Sequence, residues 1–447
     1  MKKGYLVIIF DCHRPILDIF FYNLSNKDKF SMAPMDMIIF FLEISMMLFI
    51  ALLCGHVMSS LRFPAVLGEL FGGIILGPTI FGWLSPSAYQ WLFPTSGAIF
   101  QGRDALIQIC ILFFLFIAGL EMNLKLVGNR GIHIAWANLM GILLPFILGF
   151  GMVVMFPNMW GEYFKGETFY FAMFMGTALS ISALPVIART LMDLDLLNTD
   201  MGMIIIGTAT INDLVGWSLF AFILSNFAPN SIINISPYMT FILVLVLFIF
   251  MLTIGRAWAQ IALIWLKSHL PWPRAFLGTT TILILLTSAC AEGIGIHAVF
   301  GAFLVGLAFS QNFEKRDEAH EIVYQFVMYF FAPLYFVSIG LQENFVASFD
   351  LVFVLVVLLV ACIGKVFGVM LGLRVSKMLW RQSAVKGFAL NARGAMEMIL
   401  ATVARDAGLI NDRLFVALVI MALVTSILSG PIMNKLNALN LSMAETL

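Results

Sequence analysis

The sequence predicts an all-α polytopic membrane protein of about thirteen transmembrane helices, arranged as two inverted-topology repeats. Three observations predict it. The chain is 61% apolar and only 11% charged over 447 residues, where an ordinary soluble protein carries about 25% charge. Its apolar residues fall in runs long enough to cross a hydrocarbon core, which takes about 20 residues of helix. One of these runs ends Phe116-Ile117-Ala118-Gly119-Leu120-Glu121, and much later another ends Val337-Ser338-Ile339-Gly340-Leu341-Gln342-Glu343.

Charge and Pro/Gly clusters bound the helices at 36–61, 64–84, 104–123, 131–156, 168–191, 201–226, 237–266, 275–293, 297–310, 322–341, 351–374, 385–407 and 414–435. The run at 297–310 is short and glycine-rich, and redrawing the turn before it leaves twelve spans. Before the first run, Lys2 and Lys3 precede an apolar stretch, Tyr5 to Phe10, that is too short to span and is cut by Asp11, His13 and Arg14. Residues 1–34 therefore read as an N-terminal tail, or as an over-long start with Met32, Met35 or Met37 as the true one. Residues 437–447 read as a C-terminal tail, and 35–436 as the membrane domain. With the C-terminus in the cytoplasm, the inner side collects Arg62, Lys125, Arg130, Arg189, Arg256, Lys267, Arg274, Lys315, Arg316, Arg374, Lys377, Arg381, Lys386 and Lys435. The outer side receives Arg103, Lys165, Arg405 and Arg413. Basic loops mark the cytoplasmic face, so this orientation is the expected one.

Six helices, a linker helix at 237–266 and six more make the two halves. Seven spans separate matching helices, so the halves point in opposite directions, an arrangement that places binding sites at the midplane where helices break. Gly68, Gly72, Gly73 and Gly77 in 64–84 and Gly301 and Gly306 in 297–310 mark surfaces for close helix contact. The aromatic-rich run at 322–341 reads as lipid-facing surface and helix packing.

Several function classes are disfavoured. Net charge is zero, giving no pull toward nucleic acid. Cys12, Cys54, Cys110, Cys290 and Cys362 are scattered with no CxxC pair, which speaks against zinc and disulfides. No HExxH or GxSxG supports an intramembrane enzyme. No cofactor is expected.

Charge inside a span costs at least ~2.5–3.5 kcal/mol, so each such residue needs a reason. Asn212-Asp213 lies in the middle of 201–226, among Thr208, Thr210 and Gly216. Desolvation favours a protonated carboxylate and a nearby cation favours an ionised one, so a balanced Asp213 holds either H+ or a metal cation such as Na+ or K+. Asn212, Thr208 and Thr210 add the neutral oxygens that alkali cations take. A buried Asp that merely links helices is the alternative. Thr177, Ser180 and Ser182 crowd the stretch before Pro185, which reads as a broken helix with freed carbonyls facing the site, or else as a simple proline kink. In 385–407, Arg393 and Glu397 share one helix face and pair, with a second interruption expected at Gly394. Lys365, deep in 351–374, is expected to face a carboxylate, Asp213 first and Glu397 second. Glu69, Glu292 and His297 are weaker signals, His297 reading as a helix-start residue.

Taken together, the segments resemble the cation/proton antiporter-2 superfamily, with its Kef-type exchangers, cyanobacterial Na+/H+ antiporters and plant cation/H+ exchangers. The resemblance spans roughly 36–436 and rests on Pro64-Ala65-Val66-Leu67-Gly68-Glu69, Leu76-Gly77-Pro78, Ser180 to Arg189, Asn212-Asp213, Ile296 to Phe303 and Arg393-Gly394-Ala395-Met396-Glu397. It implies two broken helices that cross in a core, here 131–226 and 351–435, beside a scaffold and dimerisation domain, here 36–123 and 275–341. It implies a homodimer in a lipid bilayer, expected to be a bacterial inner membrane. It also implies that the second residue of a polar pair, Asp213, binds the ion. In electrogenic members the first residue is an Asp that bridges a lysine, here Lys365. This chain carries Asn212 instead, which points to one cation per proton. Kef-type members usually continue beyond the last span into a nucleotide-binding domain, and that form of gating is not the expectation here. The expectation is alternating-access exchange of Na+ or K+ for H+. Its rivals are a channel-like K+ efflux path, for which no TVGYG-like filter is present, and a transport-dead membrane sensor.

Overall fold

With no water in a bilayer to bond the backbone, each long apolar run must satisfy its own N–H and C=O groups, and it does so as helix. The computed structural model describes residues 33–61, 63–122, 131–160, 168–194, 196, 199–225, 237–310 and 318–444, and every long element among them is helical. The elements are α1 (Pro34–Ser60), α2 (Ala65–Leu76), α3 (Ala98–Leu120), α4 (Gly131–Met155), α5 (Thr168–Ser180), α6 (Leu184–Asp193), α7 (Asp200–Ser225) and α8 (Pro237–Phe250). A π turn at Met251–Gly255 leads from α8 into α9 (Arg256–His269), followed by α10 (Arg274–Gly293), α11 (Ala298–Phe309) and α12 (Glu318–Gln342). The chain closes with α13 (Leu351–Val375), α14 (Trp380–Leu390), α15 (Ala395–Asp406) and α16 (Asp412–Ala444). Ten helices among the described residues are long and apolar enough to cross a membrane, and α5 and α11 are shorter apolar helices. Phe49, Leu52, Ile249, Ile261, Leu286 and Phe367 stand exposed on the outside, where lipid tails replace water as their surroundings. The protein is an integral membrane protein.

Three of the expected spans are not single helices. The run at 168–191 breaks between α5 and α6, and the run at 385–407 breaks between α14 and α15. The 64–84 run stops as α2 at Leu76 and resumes as short helices at Phe81–Leu84 and Pro86–Leu92. Helix α16 carries on to Ala444, past the boundary expected at 436. The aromatics of α12 divide: Tyr329 is exposed, but Tyr335 and Phe336 are fully buried where the second half packs against α2 and α3, so only the first half faces lipid. Residues 1–32 and the loop cations Arg62, Lys125, Arg130, Lys165, Lys315 and Arg316 lie outside the described residues.

The repeat is visible in the glycine contacts. Ala65-Val66-Leu67-Gly68 matches Ala298-Val299-Phe300-Gly301, and Gly73 then matches Gly306 as Gly119 matches Gly340. Gly73 of α2 meets Gly340 of α12, while Gly306 of α11 meets Gly119 of α3, so the halves exchange partners symmetrically. Both crossings bring backbone against backbone, and a Cβ at Gly306 would lie 2.8 Å from the Leu120 nitrogen. A second layer repeats the pattern: Gly68 packs on Cys54 of α1, and Gly301 on Thr287 of α10. Elsewhere α4 packs along α13 and α5, and α16 along α13, α14 and α15.

Candidate functional site

The two helix breaks meet. Residues 181–183 between α5 and α6 and residues 391–394 between α14 and α15 cross, joined where the Ala183 N–H donates to the Ala392 carbonyl at 2.9 Å. The Ser182 hydroxyl donates across the same crossing to the Leu390 carbonyl at 2.7 Å. The local causes are sequence features. Pro185 sits in the first turn of α6 and cannot continue the ladder of α5. Gly394 precedes α15 in an extended conformation.

A helix that stops inside a membrane leaves carbonyls and a negative dipole end exposed to low dielectric. Here two cations close that end. Arg393 donates to the Ala178 carbonyl at 2.7 Å and also to that of Leu179. Lys365 of α13 donates to the Ser180 carbonyl. Arg393 also pairs at 3.3 Å with Glu397 in the first turn of α15, and the Ser426 hydroxyl of α16 donates to the Arg393 carbonyl.

Asp213 lies against this crossing from the middle of α7. It is 0% exposed, and neither of its carboxylate oxygens has a hydrogen-bond partner. The charges of Lys365 and Glu397 and the main-chain N–H of Leu184, at the start of α6, act on it. Asn212 donates to the Ser182 hydroxyl at 3.4 Å, and its own oxygen stays unpartnered. Asp213, Lys365, Arg393 and Glu397 thus form a buried cluster of two acids and two cations, each at most 1% exposed. Such a group survives only because every charge is neutralised nearby or changes its protonation. Asp213 is the member whose two carboxylate oxygens have no hydrogen-bond partner.

The expected site residues are brought together, though not all in the expected manner. Lys365 makes no ion pair with a described carboxylate. Its ammonium is used on the α5 carbonyl end and reaches Asp213 and Glu397 only through space. Thr177, Ser180 and Thr210 donate to their own helices at Met173, Gly176 and Ile206, at 2.8, 2.6 and 2.9 Å, and Ser180 also lies 3.0 Å from the Ile142 carbonyl of α4. Of the hydroxyls named from the sequence, Ser182 alone is directed across the crossing. Glu69 is buried on α2 with one oxygen unpartnered, and His297 caps α11, accepting from the Val299 N–H at 3.4 Å. Sequence reasoning passed over Ser426, although Thr425, Ser426 and Ser429 form a polar stripe in an otherwise apolar helix. It also passed over the ion pair of buried Glu43 on α1 with Arg103 on α3, whose halves lie far apart in sequence.

Residues 46–436 match the family described as "Sodium/hydrogen exchanger, transmembrane". Cation/H(+) antiporter 17 of Arabidopsis thaliana is 33% identical over 399 residues, covering 88% of this chain and 47% of its own length. The chain therefore spans about half the length of the plant relatives it matches. The Na(+)/H(+) antiporter NhaS4 of Synechocystis is 30% identical over 395 residues, covering 87% of this chain and 94% of the relative. The solved sodium proton antiporter MjNhaP1 of Methanocaldococcus jannaschii shares the fold, with a TM-score of 0.66 at 17% identity, over 90% of this chain and 98% of that one. With a match across nearly its whole membrane domain and a full-length relative at this identity, the chain belongs to the sodium/hydrogen exchanger transmembrane family.

Proposed function

We propose that this protein is a monovalent cation/proton antiporter that exchanges Na+ or K+ for H+ by alternating access, with Asp213 as the shared site. The observation that carries the reading is a fully buried aspartate with no hydrogen-bond partner, set against the crossing of two broken helices. The family supports the class of transport. An ionised carboxylate left bare at this depth costs several kcal/mol. Binding either a proton or a metal cation removes that cost, and the two compete for the same oxygens. Only the occupied, neutralised site is then cheap to carry past the scaffold, so coupling follows from mutual exclusion. The core would comprise 131–226 and 351–435, sliding against 36–123 and 275–341, with 237–266 as linker. The transported cation is substrate, and Asp213, Asn212 and Ser182 are the oxygens best directed to hold it. A homodimer in a bacterial inner membrane, with the C-terminus in the cytoplasm, completes the reading.

The stoichiometry is read from Asn212 beside Asp213, and the helix cap supports it. Lys365 bonds a carbonyl rather than a carboxylate, and Asn212 stands where electrogenic members carry a second aspartate. One titrating acid implies one cation per proton and electroneutral exchange. In proteoliposomes with an entrapped pH dye, Asp213→Asn should abolish cation-driven proton flux in Na+, K+, Li+ and Rb+ alike. The variant should still elute as a folded protein, because asparagine keeps the carboxylate's shape and an oxygen for the Leu184 N–H. Undiminished flux from this variant would refute the assignment, and a rate that follows an imposed voltage at fixed pH gradient would refute electroneutrality.

A further inference from the structure

Residues 343–350, which join α12 to α13, are held from two sides. On one side stands Thr79, just past α2. Its hydroxyl donates to the Glu343 carbonyl at 3.3 Å and accepts from the Phe345 N–H at 2.9 Å. On the other side stands Arg405, in the last turn of α15. It donates to the Glu343 carboxylate at 2.6 Å and the Gln342 carbonyl at 3.3 Å, while its Nε donates to Asp412 at 2.7 Å. The guanidinium also lies 5.0 Å from the ring centre of Phe415. These ends share one membrane face, opposite the turn that joins α13 to α14.

We propose that Arg405 and Glu343 form a latch that fastens the core to the scaffold on this face, and that every transport cycle must break it. The proposal rests on the core and scaffold division given under the proposed function. Helix α12 is fixed to α2 by the Gly73–Gly340 crossing, so Glu343 at its end belongs to the scaffold. Helix α15 starts at the crossing beside Asp213 and runs for 12 residues to the latch, a rigid rod of about 18 Å at 1.5 Å per residue. Any displacement of the crossing is delivered to Arg405. A charge-assisted bond of 2.6 Å does not survive a slide of more than about 1 Å, since hydrogen bonds end near 3.5 Å. The pair is shielded, with side chains 20% and 9% exposed, so water weakens it less than it would a surface pair. A second ion pair nearby supplies the contrast. Asp350, the N-cap of α13, pairs with Arg413 of α16, and both belong to the core, so this pair rides along unbroken.

The test uses the full chain with its five cysteines changed to serine. Glu343→Cys with Arg405→Cys is bridged by a short, reducible thiol-to-thiol cross-linker in proteoliposomes, and Asp350→Cys with Arg413→Cys is bridged likewise. Exchange by the first pair should fall in proportion to the cross-linked fraction and return on reduction, while the second pair should exchange equally well bridged or free. Full exchange by a cross-linked 343–405 pair overturns the latch, as does equal loss from the 350–413 pair. A cysteine-free parent that exchanges no cation at all overturns the transport reading instead. In that event hydrogen exchange decides for the latch: Arg405→Gln should strip protection from amides 343–350, and unchanged protection there overturns it.

Discussion

Replacing Arg393 by methionine tests the account of the helix cap most directly. Methionine keeps much of the apolar stem and removes the guanidinium. Two donations to the Ala178 and Leu179 carbonyls are lost, and so is the 3.3 Å pair with Glu397. Hydrogen bonds from charged groups contribute about 1.5–3 kcal/mol each, and orphaning a buried acid costs about 3–5 kcal/mol. Because these losses share one group they do not add, and the expected destabilisation is about 3–5 kcal/mol, set mainly by the stranded acid. A thermal scan of the detergent-solubilised protein should show a transition several degrees lower. Adding Glu397→Gln removes the stranded charge and should recover part of the loss, leaving the deficit owed to the two carbonyls. Coincident melting of Arg393→Met and the parent would refute the reasoning. A double variant no better than the single one would show that the acid is not what makes the loss large.

The glycine crossings make a sharper steric prediction: Gly306→Ala, whose Cβ would sit 2.8 Å from the Leu120 nitrogen, should cost about 1–3 kcal/mol by overpacking. Gly278→Ala in α10 meets nothing within 4 Å and should be neutral or stabilising by up to about 1 kcal/mol through helix propensity; both are read as melting temperatures in detergent. Acidification should discharge the latch without opening its loop. Partial burial holds the Glu343 carboxyl above the ordinary carboxylate range, although the Ser348 hydroxyl and Arg405 pull it down and Asp412 adds to the rise. The folded protein therefore takes up this proton more readily than the unfolded chain, and stability from this group grows as pH falls through that range even as the ion pair itself is discharged. Asp350 behaves oppositely: the Phe353 N–H, with Arg413, holds its carboxyl below the ordinary range, so its contribution persists until pH falls further. Hydrogen exchange corrected for intrinsic pH effects should show amides 343–350 keeping or gaining protection as pH falls through the Glu343 titration, while the start of α13 loses protection only at lower pH, and Glu343→Gln should abolish the response at 343–350.

Much of this architecture was legible because hydropathy reports burial in lipid directly. The spans, the break before Pro185, the break at Gly394 and the acid in the middle of α7 all carry local signatures, each a residue type that the surrounding helix cannot accommodate without cause. The pairing of Arg393 with Glu397 was legible for the same reason, since four residues along a helix fix their meeting. What escaped depends on neighbours that sequence spacing does not choose. Lys365 was expected to seek a carboxylate, but a broken helix offers carbonyls, and the three at the end of α5 compete for any cation in reach. The exchange of partners between α2 and α12 and between α3 and α11 was hidden likewise. Glycines announce close contact but do not say with which helix. Glu43 inside the first span and Arg103 among the outer cations carry no sign of each other until folding brings α1 beside α3.

The cap on α5 has a consequence for how the protein is made. The carbonyl of Ala178 is satisfied by a residue 215 positions further along the chain. During synthesis the first broken helix enters the bilayer long before Arg393 leaves the ribosome. In that interval its open end, and Asp213 with it, must be sheltered by water, by lipid headgroups or by the insertion machinery. The N-terminal half is thus an unfinished object rather than an independent one. Quality control that senses polar backbone within the membrane would find its target in any chain truncated before α14.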